Sequence, residues 1–176
     1  MAPMGPSVTG KFDQLDDDQF QLILHRHFEV SPETVWTVLT DSKECGRWMG
    51  TWTGDPASGE VQMTMVAEEG DEPQAVKILK CDPPMLVRVQ QGPAEQPWIL
   101  EARLAENGST TELTFTQPMD REFALAMLPD IGPGWEFYLD RLVAAVAGED
   151  ANQIKWDDYY PSLKAPYETM ARRAEG

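Results

Sequence analysis

Between residues 60 and 117 five short runs of strand-forming residues follow one another, and near residue 135 a single strongly amphipathic stretch begins. The runs are EVQMTMVAE (60–68), QAVKILKC (74–81), MLVRVQQ (85–91), PWILEARLAE (97–106) and TTELTFTQ (110–117). Their separators, GDEP, DPP, GPAEQ and NGS, are turn chemistry, so successive runs pair antiparallel. Val61, Met63 and Met65 alternate with polar neighbours, as do Trp98, Leu100, Ala102 and Leu104, and then Leu113 and Phe115. One face of the sheet is therefore apolar and the other wet. The amphipathic stretch WEFYLDRLVAAVAG carries Trp135, Tyr138, Leu139, Leu142, Val143 and Val146 as a helical stripe, launched by Gly132-Pro133-Gly134 and stopped at Gly148.

An earlier strand completes the set. In QFQLILHRHFEV, residues Phe20, Leu22, Leu24, Arg26, Phe28 and Val30 share one face. Ser31-Pro32-Glu33 then supplies a capping hydroxyl, a first-turn proline and a first-turn acid. A short helix with Val35, Trp36, Val38 and Leu39 follows, and Thr40-Asp41-Ser42 breaks it and caps a second, carrying Cys45, Trp48 and Met49. Each is expected to span about eight to ten residues. A further short helix is expected around 121–128. Residues 1–18 read as a flexible lead-in and 149–176 as an aromatic tail packed on a domain of residues 19–148.

Charge narrows the partners. Thirty Asp and Glu against fourteen Lys and Arg give a net charge of −16. No basic footprint for a phosphate backbone or an anionic membrane surface is visible, which argues against nucleic-acid and membrane binding. No apolar run reaches the ~20 residues needed to span a bilayer. Cys45 and Cys81 lack CxxC spacing and read as free thiols. MAPMGPSVTG has no apolar leader, so a cytoplasmic protein is expected.

These elements resemble the SRPBCC superfamily of START-like, helix-grip domains, and within it the AHSA family, named for an activator of a heat-shock chaperone's ATPase. LHRHFEVSPETVWTVLTD resembles that family's R-x-F-x-A-x-x-x-V-W-x-x-L-T-D opening at Arg26, Phe28, Val35, Trp36, Leu39, Thr40 and Asp41. Trp48 matches the tryptophan closing the next helix. GPGWEFYLDRLVAAVAG resembles the final helix at Gly134, Trp135, Leu139, Asp140 and Leu142. Asp120–Pro133 and the tail fall outside the pattern. The resemblance implies an α+β helix-grip fold, with a curved antiparallel sheet of about six strands wrapped around a long C-terminal helix. Proteins of this fold include catalysts, carriers and cochaperones.

A bent sheet leaves a gap beneath its helix that side chains fill or a ligand occupies. The inward candidates are Met63, Met65, Trp98, Leu100 and Phe115 from the sheet, and Trp135, Tyr138, Leu139 and Leu142 from the helix. Trp48, Met49 and Trp52 lie near one rim. Core packing is the ordinary role of any one of them; the set as a whole suits an adaptable apolar pocket for a small hydrophobic or amphipathic molecule. Arg26 shares the inward face, so its guanidinium requires a partner: a polar group of the ligand or, as the simpler reading, an acid near the sheet margin.

Signals for catalysis are sparse. His25 and His27 face away from the Leu22–Phe28 side and lack further ligands at metal spacing, so neither a metal nor another cofactor is expected. No GxSxG, catalytic Cys context or phosphate loop occurs. Glu101 reads as an outward strand residue and Asp140 as a solvent-facing helix residue. The leading expectation is ligand binding without evident catalysis. The alternatives are a polyketide cyclase- or hydrolase-like enzyme, whose acid–base candidates would be Glu101, Tyr138 or Asp140, and a chaperone-linked interaction module. The tail aromatics Trp156, Tyr159, Tyr160 and Tyr167 are expected to cover the domain's own surface, with a homodimer contact as the other possibility.

Overall fold

In a computed structural model that describes residues 6–66 and 72–174, the alternating run after Asp18 forms a ten-residue strand, β2 (Gln19–Phe28). Its inward residues Phe20, Leu22, Leu24 and Phe28 are buried, as period-two burial requires. The strand pairs on one side with β1 (Lys11–Gln14) and on the other with β8 (Thr110–Asp120). The remaining strands are β3 (Gly50–Thr53), β4 (Glu60–Met65), β5 (Gln74–Asp82), β6 (Leu86–Gln91) and β7 (Trp98–Asn107). All eight form one sheet in the order β1-β2-β8-β7-β6-β5-β4-β3. Every neighbouring pair is antiparallel.

The architecture is the helix-grip α+β fold, with eight strands rather than about six. The two added strands, β1 and β3, are four residues each and lie at the two edges of the sheet. Segments that short carry too little alternation to stand out. β1 also gives strand structure to part of the expected lead-in. For the run 60–68, residues 67 and 68 lie outside the described residues.

Helix α1 (Pro32–Thr40) starts at Ser31 and carries Glu33 in its first turn, but the Ser31 hydroxyl meets Thr34 Oγ1 at 3.2 Å instead of capping a backbone N–H. The expected second helix is only a 3-10 turn, Glu44–Arg47. Asp41 organises that turn by accepting from the Lys43 and Glu44 N–H groups at 3.0 and 3.1 Å.

The largest departure concerns the C-terminal helix. α2 runs unbroken from Arg121 to Val146, merging the expected helix at 121–128 with the one expected after Pro133. Pro129 and Pro133 sit inside it, each without an N–H to give. Packing on both sides holds the helix through this defect: Leu128, Ile131 and Trp135 are buried against the sheet side, and Gly132 lies under the Tyr167 ring. The tail folds back through two 3-10 turns into α3 (Lys164–Arg173), which packs along α2.

Candidate functional site

The concave face of the sheet and α2 enclose a cavity of about 300 Å³. Its sheet wall comes from alternate residues of successive strands: Trp52, Met63, Val76, Val89, Leu100 and Phe115. α2 contributes Trp135 and Leu139, and the segment after α1 contributes Trp48 and Met49. β5 adds both Ile78 and Cys81, three residues apart, which strict alternation would set on opposite faces. An irregularity in register between Ile78 and Lys80 resolves this: Ile78 pairs with Val89 and Cys81 with Val87, and Leu79 is left 47% exposed.

Four polar groups around this cavity are turned to partners in the protein. Trp48 Nε1 donates to Val38 O at 2.9 Å and Trp52 Nε1 to Thr40 O at 2.9 Å. Trp135 Nε1 donates to the side chain of buried Gln117 at 2.8 Å. The Thr40 hydroxyl donates to Trp36 O at 2.7 Å. Glu101 touches the wall, but its carboxylate is held by Arg88 at 2.6 Å and Arg103 at 2.7 Å. Burial raises the pKa of this carboxyl, yet the hydrogen bonds from Arg103 and Arg88 outweigh it and leave the group below its ordinary range. Burial pushes the Cys45 thiol up to about 12, so it stays protonated.

A second cavity, about 850 Å³, adjoins the first and shares Met49, Gln91 and Trp135 with it. Met65, Trp98 and Tyr138 line it, joined by Phe137 and Trp156, with Gln74 and Asp130 among its polar lining residues.

Of the residues singled out in the sequence, eight line the inner cavity: Trp48, Met49, Trp52, Met63, Leu100, Phe115, Trp135 and Leu139. Met65, Trp98 and Tyr138 line the second. Leu142 is fully buried in the core and borders neither. Arg26 borders neither as well. Its Nη2 meets Glu136 Oε1 at 2.8 Å and its Nε meets Asp140 Oδ1 at 3.0 Å, which is the ion-pair reading of that residue. Burial would lower the Arg26 pKa, but Asp140 and Glu136 outweigh it and raise it above its ordinary value. Asp140 is therefore no solvent-facing bystander: its side chain is 34% exposed, and it also accepts from Tyr159 Oη at 2.5 Å.

Val76 and Ile78 of β5 and Val87 and Val89 of β6 also line the inner cavity and are not among the sequence candidates, although their alternation is visible in the sequence. Nor is Glu136, whose buried carboxylate accepts from Thr9 N, Gly10 N and Tyr167 Oη besides Arg26. A Glu inside an amphipathic stripe gives no local sign of such partners. His25 and His27 are exposed and meet Thr114 and the acids Glu29 and Glu112. Among the described residues no group of three or more His, Cys, Asp or Glu could hold a metal ion, and no helix is long and apolar enough to cross a membrane.

The fold and its two-chambered interior define an SRPBCC-type helix-grip domain. Similar solved structures agree. CalU16 from Micromonospora echinospora superposes with a TM-score of 0.71 at 19% identity, covering 92% of this chain and 96% of that one. The conserved protein EF2215 from Enterococcus faecalis gives 0.71 at 18% identity, covering 97% and 95%. DynU16, a protein in the dynemicin biosynthetic locus, gives 0.64 at 14% identity over 74% of this chain and 49% of its own. At these identities the likeness establishes the fold. No curated protein matches the chain significantly. The family model for activator of Hsp90 ATPase homolog 1-like protein matches residues 29–147, and the chain belongs to that family.

Proposed function

We propose that the chain binds a small hydrophobic or amphipathic molecule between the sheet and α2, without carrying out chemistry on it. The observation that carries this reading is the wall of the inner cavity, where three indole N–H groups and a threonine hydroxyl are all satisfied by the protein. Apart from Gln91 and the thiols of Cys45 and Cys81, what remains lining the space is mostly aromatic, aliphatic and thioether surface, and about 300 Å³ is at the lower end of small-molecule pockets. Apolar burial supplies affinity there, and the neighbouring chamber with Gln74, Gln91 and Asp130 accommodates a polar end. Trp48, Met49, Trp52, Met63, Leu100, Phe115, Trp135 and Leu139 would contact the apolar body, and Met65, Trp98 and Tyr138 the remainder. Arg26 has no part in this reading, since its donors are taken by the protein.

A cyclase-like enzyme would need polar groups converging on one point of the cavity. The ionised group nearest the wall, Glu101, is instead held by two arginines. The test combines native mass spectrometry of protein purified without added ligand with displacement of a fluorescent fatty-acid probe. The wild type is expected to carry or accept an apolar guest. Leu100→Trp, which fills the inner cavity, is expected to lose it while keeping the fold, with Ala102→Phe as a second filling variant. A folded wild type that takes up no probe and carries no guest overturns the reading.

A further inference from the structure

The second cavity has a composition that selects more narrowly than the first. Trp98, Trp135, Tyr138 and Trp156 line it, and its one charged lining side chain among the described residues is Asp130. No Lys or Arg among the described residues borders it. The negative faces of aromatic rings attract cations, most strongly where water is excluded, and a nearby carboxylate adds to the attraction. Trp156 is 39% exposed; Tyr160 stacks on one of its faces at 5.3 Å and 8°, and Phe137, which also lines the cavity, meets it in a T-shaped contact at 5.4 Å and 71°. Asp130 accepts from Tyr160 Oη at 2.8 Å, which fixes the carboxylate beside the ring pair. Lys164 Nζ lies 3.9 Å from the same oxygen; both side chains are about half exposed, so this pair is weak. The chain's net charge of −16 further favours cations over anions at the opening.

From this we infer that the bound molecule is an amphipathic organic cation, with its apolar body in the inner cavity and an alkylammonium head among Trp98, Tyr138 and Trp156 beside Asp130. The inference rests on the ligand-binding reading above and names the class of ligand. Gln91, which borders both chambers, marks the level at which the apolar body gives way to the head.

The test compares three probes with the same ten-carbon chain by isothermal titration calorimetry below their micelle concentrations: decyltrimethylammonium, decanol and decyl sulfate. At 0.15 M salt, decyltrimethylammonium is expected to bind about tenfold tighter than decanol, and decyl sulfate more weakly than either. Because any acidic protein attracts cations, the deciding variant is Asp130→Asn combined with Trp156→Ala. It is expected to bring decyltrimethylammonium to within about twofold of decanol, both measured on the same variant. Equal binding of all three probes to the wild type, or an undiminished preference in the folded variant, overturns the cation inference and leaves the apolar-ligand reading standing. If none of the three binds, both fall.

Discussion

Arg26 of β2 and Glu136 of α2 meet at 2.8 Å with their side chains 9% and 1% exposed, joining the sheet to the helix that crosses it. The same carboxylate gathers Thr9 and Gly10 from the N-terminal segment and Tyr167 from α3. One buried acid thus ties together four parts of the chain distant in sequence. Removing its charge by Glu136→Gln leaves Arg26 with Asp140 as its remaining acid. A loss of about 3 kcal/mol is expected, the low end for breaking a buried pair, read from the urea unfolding midpoint. Arg26 itself adds no pH dependence near neutrality. Its raised pKa makes its contribution complete below the ordinary arginine value and lost only as pH rises through the still higher folded value.

Gly132 is required by a neighbour. A Cβ at that position would come within 2.4–2.5 Å of three Tyr167 ring atoms, so Gly132→Ala has to shift Tyr167 and with it α3. The expected cost is about 1–3 kcal/mol, measured by thermal melting, with faster amide exchange confined to α3.

Trp135→Phe keeps an aromatic wall but removes the donor to Gln117, which is 1% exposed. Stability is expected to fall by about 1–3 kcal/mol because a buried acceptor loses its partner. Changing Gln117 to Leu in the same chain is expected to restore part of the loss, since both ends of the bond are then apolar. Chemical denaturation of the single and double variants measures it.

Glu101 gives an acid-side signature. Its folded pKa lies below the ordinary value of 4.5, so its contribution is present above that value and lost as pH falls through the folded one. Wild type is expected to exceed Glu101→Gln in stability at pH 6. The gap should narrow as the pH falls below the ordinary value and through the lower folded one, in unfolding curves collected from pH 6 downward.

The two thiols should report on the inner cavity. Cys45 is 3% exposed and its thiol is held protonated, so alkylation at pH 8 is expected only after unfolding. Cys81 is exposed and also borders the cavity, so it is expected to be alkylated in the folded protein, and more slowly once a probe is bound. Peptide mass spectrometry distinguishes the sites.

What could be read in advance follows from how local each signal is. β2, β7 and β8 show long alternation, and their inward faces were legible from it. Of the expected α2 stripe, Trp135, Leu139 and Leu142 are buried, while Tyr138, Val143 and Val146 are half-buried and Phe137 and Arg141 are buried beside them. The short edge strands β1 and β3 gain their order from neighbours, and the irregularity in β5 exists only in its register with β6. Pro129 and Pro133 looked like helix ends because proline cannot donate; burial on both sides of that turn overrides them. The inner-cavity residues were largely visible as inward strand positions. Asp140 and Glu136 were not, since their partners lie up to 127 residues away.

Because the indole donors of Trp48, Trp52 and Trp135 are all engaged with the protein, the inner chamber makes few directional demands of its own. Occupants would be sorted there by girth and flexibility, each additional buried methylene adding ~0.8 kcal/mol until the walls stop yielding. Chemically unrelated molecules of equal outline would then compete on equal terms, and any finer choice would fall to the wider compartment next door.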